Sequence, residues 1–215
     1  MKISIPAVLP ESVEALVFDL GGVVLDIDIE RSLAALSRLS AATIDVQDIV
    51  AGKASVFCDL ELGLLDWAGF IRAFRSEYPA AGAVSDASVR DAWNAMLLPF
   101  DERRVALIRE LGRHYPVYLL SNTNLPHRVY FRELFGKQFG GRFDDLFVRC
   151  FYSDELHLRK PDPEIYRHVA REIGLSAGKL LFIDDNQANV SAARSQGWQA
   201  YYLSCGERIT DLFEL

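Results

Sequence analysis

The chain has 215 residues, enough for one well-filled domain or for a core domain with a modest insertion. With 50% hydrophobic and 25% charged residues it is not an intrinsically disordered protein, and a net charge of −7 argues against a broad nucleic-acid surface. No apolar run reaches the roughly 18 residues of a membrane-spanning helix, so we expect a cytoplasmic protein. Three widely spaced cysteines and four scattered histidines predict neither a disulfide framework nor a zinc site, and nothing indicates an oligomeric state.

The first element in chain order is a predicted strand over residues 15–18, an apolar run that ends at Asp19 and is broken by Gly21 and Gly22. The stretch from residue 28 to residue 100 then shows helical patterns and no convincing strand. The predicted helices there cover residues 31–39, 67–77 and 88–96. We therefore predict a helical cap insertion over residues 28–100, placed where it could close over a ligand.

Strands and helices alternate in the rest of the chain. Further strands are predicted over residues 116–120, 180–183 and 200–203, with a weaker candidate at 147–151. Helices are predicted from Asp101 to His114, after the cap Asp162, and from about Gln187 to Gln196. This alternation predicts an α/β fold, with residues 1–27 and 101–215 forming a Rossmann-like parallel sheet covered by helices on both faces. Ligands of such sheets bind outside the carboxyl ends of the strands.

Carboxylates stand at two of these predicted strand ends. Asp19, followed by glycines, is a candidate nucleophile, although a helix cap or a turn aspartate would give the same pattern. The adjacent Asp184 and Asp185 repel each other, and a divalent cation or a lysine would relieve that repulsion. Mg²⁺ is the cation that such an oxygen-rich site favours when it also bridges to a phosphate. A solvated turn is the alternative interpretation of the pair.

Two further candidates could hold a phosphate. Ser121 and Asn122 follow another predicted strand and offer a hydroxyl, an amide and backbone N–H groups to phosphoryl oxygens, although an ordinary turn would look the same. Lys160 stands just before a capped helix, where its ammonium group could offset the charge of a phosphate and of a nucleophile. The alternative for Lys160 is a surface position.

The order and placement of these residues resemble the haloacid dehalogenase superfamily, and the resemblance covers nearly the whole chain. The matching segments lie at residues 17–24, 120–124, 159–166 and 182–186, with the helical insertion in the place of that superfamily's helical cap. The resemblance implies a phosphatase in which Asp19 attacks phosphorus and forms an aspartyl-phosphate. It also implies that Ser121 and Lys160 hold the phosphoryl oxygens of a small phosphorylated metabolite.

The same resemblance implies the metal ligands. Mg²⁺ would be bound by the Asp19 carboxylate, the Gly21 carbonyl and Asp185, while Asp184 would act on the metal through water or orient the active-site lysine. Asn189 lies one helical turn beyond the acidic pair and could bind a metal-bound water or a substrate oxygen. An ordinary polar helix position is the other interpretation of Asn189.

Gly21 is a departure from the pattern, because most phosphatases of the superfamily have there a second aspartate that protonates the leaving group. A general acid contributes a factor of about 10² to 10⁴. A sugar 1-phosphate would need it less, since its anomeric oxygen is a good leaving group, and residues 18–28 resemble the bacterial α-D-glucose-1-phosphate phosphatase branch, which also has glycine there. Alternatively, Asp26 or Asp28 supplies the missing carboxylate.

Three other functions remain open. A dehalogenase would also lack the second aspartate, but it would have no need of Asp184 and Asp185. A phosphonatase would need a cap lysine; Lys53 is the only lysine of the insertion, and a surface position is the favoured interpretation of it. A weak phosphate-binding module would have kept the pocket and lost the acid.

Overall fold

The computed structural model describes residues 12–44 and 55–213. At its centre lies a five-stranded parallel sheet with the order β3-β2-β1-β4-β5. The strands are β1 (Ala15–Phe18), β2 (Val117–Ser121), β3 (Arg149–Tyr152), β4 (Leu180–Asp184) and β5 (Gln199–Tyr202). Each strand begins and ends within two residues of a predicted one. The predicted α/β fold with a parallel sheet is therefore confirmed.

The described parts of the predicted insertion, residues 28–44 and 55–100, contain helices and no strand of the sheet. The helices are α1 (Ile29–Ser40), α2 (Ser55–Glu61), α3 (Trp67–Glu77), the 3₁₀ helix Pro79–Ala83 and α4 (Asp86–Asn94). Helices α1, α3 and α4 coincide with predicted helices, whereas the short α2 is not predicted. The limits of the insertion at residues 28 and 100 stay a prediction, and Lys53 lies outside the described residues.

The second half of the chain supplies the helices that cover the sheet. They are α5 (Glu102–Leu111), α6 (Leu125–Phe139), α7 (Ser153–Leu156), α8 (Pro163–Ile173), α9 (Gln187–Ser195) and α10 (Ile209–Leu212), with 3₁₀ helices Phe143–Leu146 and Ala177–Lys179. Asp101 and Asp162 cap α5 and α8 as predicted, each accepting a bond from a first-turn N–H group. Helix α5 ends at Leu111 rather than at His114, because the N–H groups of Arg113 and His114 bond to carbonyls three residues back.

Helix α6 has 15 residues and was not among the predicted helices. Its start is marked by Asn124, whose side chain accepts a bond from the N–H of the third helical residue. Its apolar residues do not form one face, because Phe131 and Phe135 are buried whereas Leu125 and Val129 are exposed. A helix without a single apolar face has no clear hydrophobic period in its sequence, which is why the sequence pattern does not predict α6.

The sheet separates two apolar clusters. Leu16 and Phe18 of β1 belong to the larger cluster, which also includes side chains of α5, α6 and the insertion. Ala15 and Val17 belong to the smaller cluster, together with side chains of α8 and α9. Because alternate residues of a strand face opposite sides of the sheet, the side chains of β1 are buried in both clusters. The first polar residue, Asp19, follows directly after the carboxyl end of the strand.

Candidate active site

The carboxyl ends of the three central strands bring the predicted site residues together. Strand β1 pairs with β2 on one side and with β4 on the other. Asp19, directly after β1, therefore lies between Ser121 at the end of β2 and Asp184 at the end of β4. The backbone N–H of Asp19 donates to the carbonyl of Ile183 at 2.9 Å, which extends the β1–β4 pairing up to the site.

Lys160 lies at the centre of the site. Its Nζ is 2.7 Å from Asp19 Oδ1 and 2.7 Å from Asp184 Oδ2, and its side chain is only 1% exposed. The predicted alternative, a surface lysine, is wrong. A buried ammonium group between two buried carboxylates is stabilised only when its partners are held in good geometry.

Asp184 is held by three kinds of donor. Besides Lys160, the backbone N–H of Asn186 donates to Asp184 Oδ1 at 2.7 Å, and Asn189 Nδ2 lies 3.1 Å from each carboxylate oxygen. Asn189 therefore fixes the orientation of Asp184 from the first turn of α9. Of the two roles that the resemblance implied for Asp184, the structure contains the direct contact that orients Lys160.

Asp185 packs against the glycine loop that follows Asp19. A Cβ atom at Gly22 would lie 2.0 Å from Asp185 Oδ2, and the φ angle of Gly22 is +72°. Both the lack of space and the left-handed backbone therefore require glycine at this position. Ligand oxygens of Asp19, Asp184 and Asp185 all lie within 4.8 Å of one another. The predicted role of the Gly21 carbonyl as a further metal ligand stays a prediction.

The charges of the site do not balance. Burial raises the pKa of Asp19 to about 7, with Lys160 opposing the rise and Asp184 and Asp185 adding to it. Burial alone would lower the pKa of Lys160, but the carboxylates of Asp184 and Asp19 raise it. Three carboxylates face one ammonium group, so two negative charges remain when all of them are ionised. This oxygen-rich donor set fits a divalent cation such as Mg²⁺.

Ser121 and Asn122 have different roles in the structure. Ser121 is buried at the end of β2, and its Oγ makes a long contact, 3.4 Å, with the carbonyl of Asn122. Asn122 uses both ends of its side-chain amide on one residue: Nδ2 donates to the Lys160 carbonyl and Oδ1 accepts from the Lys160 N–H, both at 2.9 Å. A phosphate contact from Asn122 therefore stays a prediction for its backbone N–H, while its side chain positions the lysine.

A cavity of about 410 Å³ opens above these residues. Ser121, Asn122 and Lys160 line its floor, and α1, α2 and α4 of the insertion line much of the rest, as predicted for an element that covers the site. The side chains that the insertion contributes are mostly apolar. They include Ile29, Leu33, Phe57, Trp93 and Met96.

Two sets of polar contacts join the insertion to the core around this cavity. Glu61 of α2 pairs with Arg159 at 2.9 Å, and burial raises the pKa of Glu61 against the opposing charge of Arg159. Trp93 of α4 stacks on His127 with ring centroids 4.7 Å apart, and its carbonyl lies 3.1 Å from His127 Nε2. Burial lowers the pKa of His127 to about 4, so the ring is neutral. Sequence reasoning missed Glu61 and His127, because neither belongs to a recognisable pattern.

Asp26 and Asp28, the alternative sources of a carboxylate, are both engaged elsewhere. Asp26 Oδ1 lies 2.7 Å from the buried Arg104, and Asp28 pairs with Arg31 at 3.2 Å. Neither belongs to the described residues that line the cavity. These contacts argue against the hypothesis that one of them replaces an acid at position 21.

The chain is similar to known proteins over most of its length. A family model for haloacid dehalogenase-like hydrolases matches residues 13–197. D-ribitol-5-phosphate phosphatase of Bacteroides thetaiotaomicron is 26% identical over 88% of this chain and 91% of its own length. A phosphoglycolate phosphatase of Neisseria gonorrhoeae is 30% identical over 50% of this chain and 43% of its own length.

Solved structures add a relative of similar shape. A HAD family enzyme of Bacteroides thetaiotaomicron, in complex with magnesium and inorganic phosphate, is 29% identical with a TM-score of 0.82, covering 94% of this chain and 100% of its own. A dehalogenase at 18% identity and a TM-score of 0.56 to 0.57 shares the fold. None of the helices in the described parts of this chain has the length and apolar character needed to cross a membrane.

Proposed function

The chain belongs to the haloacid dehalogenase-like hydrolases, and from this premise we propose that it is a Mg²⁺-dependent phosphatase that hydrolyses a small phosphate monoester through an aspartyl-phosphate on Asp19. The observation that carries the proposal is the Asp19–Lys160–Asp184 network with Asp185 beside it. Its two unbalanced negative charges suit a divalent cation. A dehalogenase, which works on carbon without a metal, would be hindered by that same excess charge.

In the first step Asp19 attacks phosphorus, a bond forms between its carboxylate oxygen and phosphorus, and the ester oxygen leaves with its electron pair. In the second step water attacks phosphorus, phosphate departs and the Asp19 carboxylate is restored. Lys160 neutralises charge on both the nucleophile and the phosphoryl oxygens, and we expect the Ser121 hydroxyl, which lines the same cavity, to donate to one of those oxygens.

The three carboxylates are the ligands that we propose for the metal. Asp19, Asp185 and, directly or through water, Asp184 would hold Mg²⁺, with the Gly21 carbonyl as a further ligand, and the bound ion supplies positive charge against the phosphoryl oxygens. Asn189 and Lys160 hold the Asp184 carboxylate in its orientation.

The substrate that we favour is a sugar phosphate. A cavity of about 410 Å³ with apolar walls and one carboxylate–guanidinium pair, Glu61 with Arg159, offers apolar contact to a sugar ring and polar partners to its hydroxyls. The relatives that act on ribitol 5-phosphate and on phosphoglycolate support a small phosphorylated metabolite. We also propose a cytoplasmic location, and the net charge of −7 argues against nucleic-acid partners.

The test is a phosphate-release screen over sugar phosphates, nucleotides and small phosphoesters, with Mg²⁺ or with EDTA. Wild type should release phosphate from some of the sugar phosphates in Mg²⁺ and stop in EDTA, and Asp19→Asn should be inactive throughout. Asp91→Asn, an exposed carboxylate on α4, is the matched control and should behave as wild type. Activity that survives both EDTA and Asp19→Asn would overturn the proposal, and binding of esters without turnover by wild type would favour a binding module.

A further inference from the structure

We infer that Ile27 is a specificity-determining residue: it narrows the space that a side chain at position 21 would take and makes the leaving-group side of the cavity apolar. The inference rests on the proposed function and adds a substrate class to it. Without a proton donor at that place, the enzyme selects phosphate esters whose leaving oxygen is weakly basic, such as anomeric, acyl, enol or aryl phosphates.

The space beside Gly21 is narrowed by Ile27. A Cβ atom built on Gly21 would lie 3.1 Å from Ile27 Cδ1, 3.5 Å from Cγ2 and 3.8 Å from Cγ1. The backbone of Gly21 is not in the left-handed region, unlike that of its neighbour Gly22 at +72°. Glycine at position 21 is therefore not required by the turn, and what a larger side chain would meet there is the end of one isoleucine.

Ile27 is held in place by the backbone around it. It forms an isolated antiparallel bridge with Leu97, and on either side Asp28 N–H donates to the Met96 carbonyl at 2.8 Å and Leu98 N–H to the Asp26 carbonyl at 3.1 Å. Here the chain enters and leaves the helical insertion.

The side chain of Ile27 is 37% exposed, and it lines the same cavity as Gly21 and Lys160. An apolar side chain left open to a cavity, beside the two apolar neighbours Leu25 and Leu97, forms a wall without hydrogen-bonding groups. A leaving oxygen that faces this wall finds no donor on it.

Other ionisable groups around the cavity are already engaged. Among the described residues that line it, the ionisable side chains are Cys58, Glu61, His127, Arg159 and Lys160. Lys160 is paired with two carboxylates, and His127 is neutral with its Nε2 on the Trp93 carbonyl. Glu61 is paired with Arg159, whose Nη1 also contacts Cys58 Sγ. Glu61 is the one carboxylate in this set, so it is the competing candidate for a proton donor.

The expected dependence on the leaving group follows because the side chains of Ile27, Leu25 and Leu97 have no proton to donate to the leaving oxygen. When the bond from Asp19 to phosphorus forms, the bond to the leaving oxygen breaks, and that oxygen departs with the electron pair and is protonated by solvent afterwards. A general acid would offset the basicity of the leaving oxygen by a factor of about 10² to 10⁴. The rate of this enzyme should therefore depend steeply on the acidity of the leaving group.

The experiment measures kcat/KM for 4-nitrophenyl phosphate and phenyl phosphate, which differ little in shape while 4-nitrophenol is the stronger acid. For wild type the ratio of the two should be ~10² or more, and Gly21→Asp alone should keep that ratio, because Ile27 blocks the new carboxyl group. In Gly21→Asp/Ile27→Ala the new carboxyl can protonate the leaving oxygen, and the ratio should fall at least ~10-fold.

The matched control is Gly21→Asp/Leu97→Ala, which removes an equal-sized apolar side chain from the same wall and should keep the steep ratio. If Gly21→Asp alone does not fold, the comparison of the two double variants decides. A wild-type ratio near one, or a ratio that falls in Gly21→Asp alone or equally in both double variants, would overturn the inference while leaving the phosphatase intact. So would Glu61→Gln, if it made the ratio steeper. A wild type that releases phosphate from no ester would overturn the proposed function as well.

Discussion

The two ends of the cavity differ in charge and in the kind of side chain that forms them. The phosphate end is charged: Ser121 and Lys160 line the cavity there, and Lys160 lies 2.7 Å from both Asp19 and Asp184. Asp185 lies close to the same two carboxylates. At the insertion end, Glu61 and Trp93 of the insertion meet Arg159 and His127 of the core, and Ile27 stands at the entrance to the insertion. This end has one ion pair and a neutral histidine. The difference suggests that the core captures the phosphate while the insertion selects what the phosphate is attached to.

Lys160→Met should have the largest effect, because it removes the charge on which the phosphate end depends. The variant leaves Asp19 and Asp184 buried without their shared partner, so the free energy of unfolding in EDTA should fall by ~3–5 kcal/mol. Loss of a donor to the phosphoryl oxygens should lower kcat/KM by ~10² to 10³-fold. Chemical denaturation and steady-state kinetics measure the two effects.

Lys179→Met is the control for Lys160→Met, since Lys179 is 44% exposed and pairs with an exposed Glu14. This change should leave both quantities close to wild type. If Lys160→Met kept wild-type activity, the phosphate end would not work as a unit and the contrast between the two ends would fail.

Asn122→Ala should have an intermediate effect by loosening the lysine without removing it. Two bonds of 2.9 Å to the Lys160 backbone are lost, which should lower the free energy of unfolding by ~1–3 kcal/mol. We expect kcat/KM to fall by ~10- to 100-fold, mostly through kcat, because Lys160 would no longer be held against Asp19. Gln187→Ala, which removes an exposed amide from α9, is the control. A change in KM alone would indicate that Asn122 binds substrate and does not position Lys160.

His127→Gln probes the insertion end and should change stability more than chemistry. The pKa of His127 is about 4 in the folded protein against an ordinary 6.5, so below pH 6.5 the unfolded chain takes up a proton that the folded protein resists. Wild type should therefore lose up to ~3 kcal/mol between pH 6.5 and pH 4 from this residue alone. In His127→Gln that part of the loss disappears.

The measurement for His127 is the difference in unfolding free energy between variant and wild type across that pH range, since the difference cancels the other groups that titrate there. His114→Gln, which removes an exposed histidine, is the control. A difference that stays constant with pH would contradict a neutral His127 at the joint between insertion and core.

Much of the phosphate end could be predicted from the sequence, because its residues follow strands and local pattern reveals strands. Asp19, Ser121 and Asp184 each stand at or beside the end of an apolar run, and parallel strands meet at one edge of the sheet. The burial of Lys160 between carboxylates could be inferred only from the resemblance, since a lysine before a helix is usually exposed.

The insertion end could not be predicted in the same way, because its contacts join residues far apart in the chain and follow no period. Glu61 meets Arg159 across 98 positions, and Ile27 is held by a bridge to the distant Leu97. Even at the phosphate end, the bond of Asn122 to the Lys160 backbone spans 38 positions and leaves no trace in the local sequence. Such side-chain contacts depend on packing rather than on secondary structure.

The most direct test of the account is to stop the reaction of the enzyme with an aryl phosphate and Mg²⁺ in acid during turnover, and to weigh the peptide that contains Asp19. We predict that this peptide gains the mass of one phosphoryl group, that the gain is lost in EDTA and in Asp19→Asn, and that Asp91→Asn retains it. Phosphate release with no phosphoryl group on Asp19, or with the group on another residue, would contradict the mechanism proposed for this site.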